Sequence, residues 1–78
     1  MPYQVNSLFE YEREGRMIYR YLFDFITNDD VTKSMEIELY EEAGITKINV
    51  VYEESDELND DDTDLFFYLL HHWALSLY

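Results

Sequence analysis

The stretch MIYRYLFDFI, residues 17–26, decides how the chain is read. Its side chains alternate with period two. Met17, Tyr19, Tyr21, Phe23 and Phe25 fall on one face, and Ile18, Arg20, Leu22, Asp24 and Ile26 on the other. Aromatic enrichment with alternation is the pattern of a β-strand, and so apolar a strand belongs in the interior of a sheet.

Upstream, Val5, Ser7, Phe9 and Tyr11 alternate with Asn6, Leu8, Glu10 and Glu12. A three-residue connection, Glu14-Gly15-Arg16, sets Tyr11 opposite Tyr19 and Phe9 opposite Tyr21, a register that keeps the apolar faces together. Ser7 followed by Glu10 also matches a helix capping box, and Gly15 a helix stop. Residues 7–14 therefore read as the first strand of a hairpin or, alternatively, as a short helix. Downstream, TNDDVTKS (27–34) is a polar break. Met35, Ile37 and Leu39 then oppose Glu36, Glu38 and Tyr40. EEAGIT (41–46) supplies a Gly turn, and Ile48, Val50 and Tyr52 complete a second hairpin. Residues 54–62 read as an acidic loop with Leu58 as its only apolar residue.

From Asp62 or Thr63 the period changes. Leu65, Phe66, Leu69, Leu70, Trp73 and Leu77 follow helical spacing, with Asp or Thr as a suitable N-cap. Asp60, Asp61, Asp62 and Asp64 sit at the positive end of the helix dipole. The expected fold is α+β: a single domain, residues 1–78, with a four-stranded antiparallel sheet of two hairpins and one C-terminal helix packed on a face. The helix should bury Phe66, Leu69, Leu70 and Trp73 against the sheet. Its other flank is also rich in apolar groups. Phe67, Tyr68, His71, Ala74 and Tyr78 there are the expected contact of a homodimer.

The chain has 78 residues, no cysteine and fourteen aromatic residues. Aromatics bury roughly 150–250 Å² each, enough for a compact core without disulfides. Eighteen Asp and Glu face five Lys and Arg, a net charge of −13. Such a surface repels phosphates and anionic membranes and attracts basic partners, which argues against direct nucleic-acid binding. The N-terminal MPYQVNSLFEYERE has neither a basic head nor an apolar run, so no secretion leader is expected. LFFYLLHHWALSLY is too short to span a bilayer.

Motifs for chemistry are missing. Asp60, Asp62 and Asp64 fit the first positions of a calcium loop, but Leu65 replaces its Gly and His71 its final Glu. His71 and His72 are adjacent and diverge on a helix, so they do not converge on one metal. No nucleophile elbow or Gly-rich phosphate loop occurs. No catalytic residue, metal or cofactor is expected, and the chain reads as a non-enzyme.

What stands out is the placement of acids. Glu10 with Glu12, and Glu36 with Glu38, are spaced i, i+2 on expected strands. Each pair projects from one face at roughly 6.5–7 Å, twice the strand rise and close to the phosphate repeat of one nucleic-acid strand. Glu41, Glu42, Glu53, Glu54, Asp56, Glu57, Asp60, Asp61 and Asp62 extend the negative surface. An excess of thirteen charges surpasses the roughly 2–8 that solubility asks of a small domain. Carboxylates so arranged can fill a basic groove built for DNA.

Small size, acidity, aromatic richness, lack of Cys and carboxylate rows together resemble the phage-encoded acidic DNA-mimic proteins. The resemblance is one of profile over the whole chain, since these proteins share no motif. It implies an inhibitor acting in the host cytoplasm on a basic DNA-binding host protein, with the histone-like nucleoid protein HU as best guess. The alternative is an immunity- or antitoxin-like inhibitor of a basic toxin or nuclease.

Overall fold

The computed structural model describes residues 2–51 and 58–77. Four strands precede one helix: β1 (Tyr3–Arg13), β2 (Arg16–Ile26), β3 (Thr32–Glu42), β4 (Ile45–Val51) and α1 (Asp60–Leu75). The strands form one antiparallel sheet in the order β1-β2-β3-β4. The fold is α+β, as the alternation of 17–26 and the change of period in the sixties indicate.

Both hairpins close with two residues. Glu14 and Gly15 have φ of 52° and 76°, and Ala43 and Gly44 have φ of 53° and 77°. Positive φ at both central residues marks type I′ turns, whose twist matches that of paired strands. Gly adopts this conformation freely, but an L-residue there costs about 1–2 kcal/mol. Ala43→Asn is therefore expected to stabilise the fold by about 0.5–1 kcal/mol and to raise the thermal midpoint by a few degrees. A midpoint that stays level or falls in a circular-dichroism melt would count against the turn.

The two-residue turn overturns the three-residue connection read from the sequence, and the strand β1 overturns the short-helix alternative. Arg13 faces Arg16, so Tyr11 lies opposite Ile18 rather than Tyr19, and Phe9 opposite Arg20 rather than Tyr21. A slip of one residue sends side chains to the opposite face. A bulge between Ser7 and Phe9, where Leu8 is the extra residue, restores the apolar register further along. Beyond it Ser7 faces Tyr21, Val5 faces Phe23 and Tyr3 faces Phe25.

The core lies between α1 and one sheet face. It consists of Phe23, Phe25, Met35, Ile37, Phe66, Leu69 and Leu70, with half-buried Trp73 packed against them. The helix begins earlier than Asp62 or Thr63. Asn59 is the N-cap, and its side chain accepts from the Asp62 N–H at 2.7 Å. Three acids in the first turn, Asp60, Asp61 and Asp62, face the positive dipole end.

The course of the helix sets what stays uncovered. Phe66 packs on Phe23 and Phe25, and Trp73 on Tyr21 and Phe23. α1 thus advances from the β2–β3 loop end of the sheet toward the hairpin turns. Eleven-residue strands reach about 36 Å, whereas a sixteen-residue helix reaches about 24 Å. The hairpin end of the sheet therefore extends past the helix, leaving Met17 41% and Tyr19 39% exposed. Among the described residues no helix is long and apolar enough to cross a membrane.

Candidate functional site: charge divided between two sheet faces

The face without the helix centres on Arg20 and Glu38. Glu38 is only 3% exposed. Its Oε2 accepts from Arg20 Nη2 at 3.2 Å and from the Tyr11 hydroxyl, and its Oε1 from Asn49 Nδ2 at 3.2 Å. Arg20 Nη1 donates to Glu36 Oε2 at 3.0 Å, and the guanidinium lies over the Phe9 ring, 5.4 Å from its centroid. Arg13 Nη1 donates to the Tyr11 hydroxyl at 3.3 Å and lies 3.8 Å from Glu38. Arg16 pairs with Glu42 at 3.4 Å beside the Tyr40 ring.

The bulge makes this network possible. Without the extra residue at Leu8, Phe9, Tyr11 and Arg13 could not reach this face while Tyr3 and Val5 reach the core. Burial pushes the Glu38 carboxyl up, but hydrogen bonds from Tyr11, Asn49 and Arg20, together with the Arg20 charge, outweigh it and hold the group below its ordinary range. Burial likewise pulls Arg20 down, and the hydrogen bonds and negative charge around it raise it above its ordinary value.

These pairings correct the expected row of Glu36 and Glu38. Both carboxylates are engaged by Arg20, and Glu38 is enclosed, so neither presents a free phosphate-like charge. The rows also point opposite ways. Glu10 faces Tyr19 and Glu12 faces Met17, on the helix-bearing face, whereas Glu36 and Glu38 share the face of Arg20.

Register and alternation place Arg13, Arg16, Arg20 and Lys47 on the helix-free face, together with Asp24, Glu36, Glu38 and Glu42. Four cations and four anions cancel there. Of the eighteen acids in the chain fourteen are left, opposed by Lys33 alone. The whole net charge of −13 is thus carried by residues other than those eight. Among the described residues, every ion pair falls on Glu36, Glu38 or Glu42.

Among the described residues, the uncompensated acids gather toward two ends of a molecule 41 Å long. Exposed Glu10, Glu12 and Glu41 lie toward the hairpin turns, joined by Glu14, which the sequence reading passed over as a turn residue. Exposed Asp60, Asp61 and Asp64 lie at the start of α1, where Asp62 is buried. Asp29 and Asp30, also passed over, are exposed in the β2–β3 loop. Glu53, Glu54, Asp56 and Glu57 lie outside the described residues.

On the outer flank of α1, Phe67 and Tyr68 are 44% and 61% exposed, His71 is exposed and Ala74 half-buried; Tyr78 lies outside the described residues. His72 meets the Tyr68 ring edge-on at 4.7 Å. Among the described residues no three His, Cys, Asp or Glu side chains are grouped to hold a metal ion. No family model, curated protein or solved structure matches the chain.

Proposed function

We propose that this protein is an acidic DNA mimic that inhibits a basic DNA-binding host protein by occupying its phosphate-binding surface, with nucleoid protein HU as the target to test first. The observation that carries this reading is the division of charge. Three arginines and Lys47 balance the four acids of one sheet face, while the other fourteen acids of the sequence are opposed by Lys33 alone. Solubility alone does not call for such an excess, and self-repulsion of thirteen charges works against compactness. A basic partner relieves that repulsion, and the acids release the counterions that DNA would release from its own phosphates.

The test is competition on immobilised HU. Duplex DNA should displace the bound protein, and affinity should fall steeply as salt rises. Glu10→Gln/Glu12→Gln/Glu41→Gln should weaken binding about a hundredfold, because three lost charges at about 1 kcal/mol each remove about 3 kcal/mol. Glu36→Gln, whose carboxylate is already matched by Arg20, should change it far less. Failure of DNA to displace the protein from a captured basic partner would replace mimicry with the immunity-like reading.

A further inference from the structure

We infer that the part of the helix-bearing sheet face that extends beyond α1 is a docking surface for a cationic amphipathic helix. The inference rests on the reading that the partner is basic, and it names the element of that partner which is gripped. Three observations define the surface. Met17 and Tyr19 of the central strand β2 are large apolar side chains left open beyond the reach of α1. On one side of them β1 presents Glu10, opposite Tyr19, and Glu12, opposite Met17. On the other side, β3 presents half-buried Leu39, opposite Tyr19, and exposed Glu41 two residues further along the same face.

The dimensions select the occupant. β1 and β3 flank β2 at about 4.8 Å each, so the two acidic margins stand about 10 Å apart. An α-helix with its side chains is about 10–12 Å across. A helix laid along β2 places an apolar stripe on Met17, Tyr19 and Leu39 and carries Lys or Arg on both flanks to Glu10, Glu12 and Glu41. No Lys or Arg competes at this end of the face: Lys33, the only cation assigned to it, faces Phe25 near the opposite end. The C-terminal end of α1 points the same way, and its carbonyls add partial negative charge. A second copy of the chain fits poorly, because it brings its own acids against these.

The test uses the whole 15N-labelled protein and two synthetic peptides of about eighteen residues. One is a Lys/Leu helix with a single apolar stripe; the other has the same composition with the stripe scrambled. The striped peptide should bind about tenfold tighter and shift the amides of Glu10, Glu12, Met17, Tyr19, Leu39 and Glu41. Met17→Ser/Tyr19→Ser, confirmed as folded by its unbound spectrum, should abolish the preference while leaving the scrambled peptide's affinity unchanged. Equal affinity for the two peptides, or shifts confined to Asp60–Asp64 or to Phe67 and Tyr68, would overturn the assignment. So would a concentration-dependent dimer whose contact covers Met17 and Tyr19. These outcomes separate from the HU competition. DNA displacement with peptide shifts elsewhere removes this surface and keeps the mimic; shifts here without DNA displacement do the reverse.

Discussion

Phe66→Ala should remove about 3–5 kcal/mol of stability, the usual loss for an aromatic deleted from a closed core. Phe66 is fully buried, and its ring lies 5.5 Å from Phe23 and 5.6 Å from Phe25. It is the side chain through which α1 meets both core aromatics of β2. A domain of this length has a total stability at the low end of about 5–15 kcal/mol. The substitution therefore removes a large share of it. Urea unfolding should show the midpoint falling by half or lost altogether, with the near-ultraviolet signal of Trp73, which packs 5.4 Å from Tyr21, collapsing in parallel. A loss below about 1 kcal/mol would mean that the helix is not seated on this face.

Arg20→Met should destabilise by about 3 kcal/mol through a different cause. It leaves the enclosed Glu38 carboxylate without its cation and frees Glu36 as well. Removing one member of a buried pair is far more damaging than removing both. Arg20→Met/Glu38→Leu should therefore recover most of the loss, and a double variant no better than the single one would refute the pairing. Acid carries a second signature. Glu38 is held below its ordinary range in the folded protein, so its contribution is complete above the unfolded pKa and disappears as pH falls through the folded one. In that window the unfolded chain binds the extra proton, and stability rises with pH. Urea midpoints between pH 2 and 7 should show this acid limb shrinking in Glu38→Gln relative to the parent protein.

Period-two and helical spacing carry most of the architecture in plain view. Residues 17–26 and 35–39 announce their faces, and Phe66, Leu69 and Leu70 announce the side of α1 that is buried. Register was not legible in the same way. Glu is an unusual first residue for a type I′ turn, so Glu14-Gly15 did not advertise a two-residue connection. The extra residue at Leu8 left no mark, because alternation on each side of it looks unbroken. Asn59 was hidden as a cap by the neighbouring acids, all of which are good caps themselves. The site suffered from the same cause. Glu36 and Glu38 look free when strands are read one at a time, and only the pairing of β2 with β3 brings Arg20 beside them. A single Arg in the middle of an apolar strand was the available signal, because a charge held there needs a counter-charge.

The bulge in β1 has a consequence for how such a surface can change over generations. The two-residue turn sets Glu10 and Glu12 on the helix side and Tyr11 on the other, and the extra residue at Leu8 lets Tyr3 and Val5 still reach the core. Deleting Leu8 would not alter a single charge, yet it would offer the chain two bad choices: lose the Tyr11–Glu38 bond or turn Tyr3 and Val5 out of the core. Length here acts as an address label for charge. An insertion or deletion in this strand can redirect a pair of carboxylates from one side of the sheet to the other, a change that no inventory of acidic residues would detect.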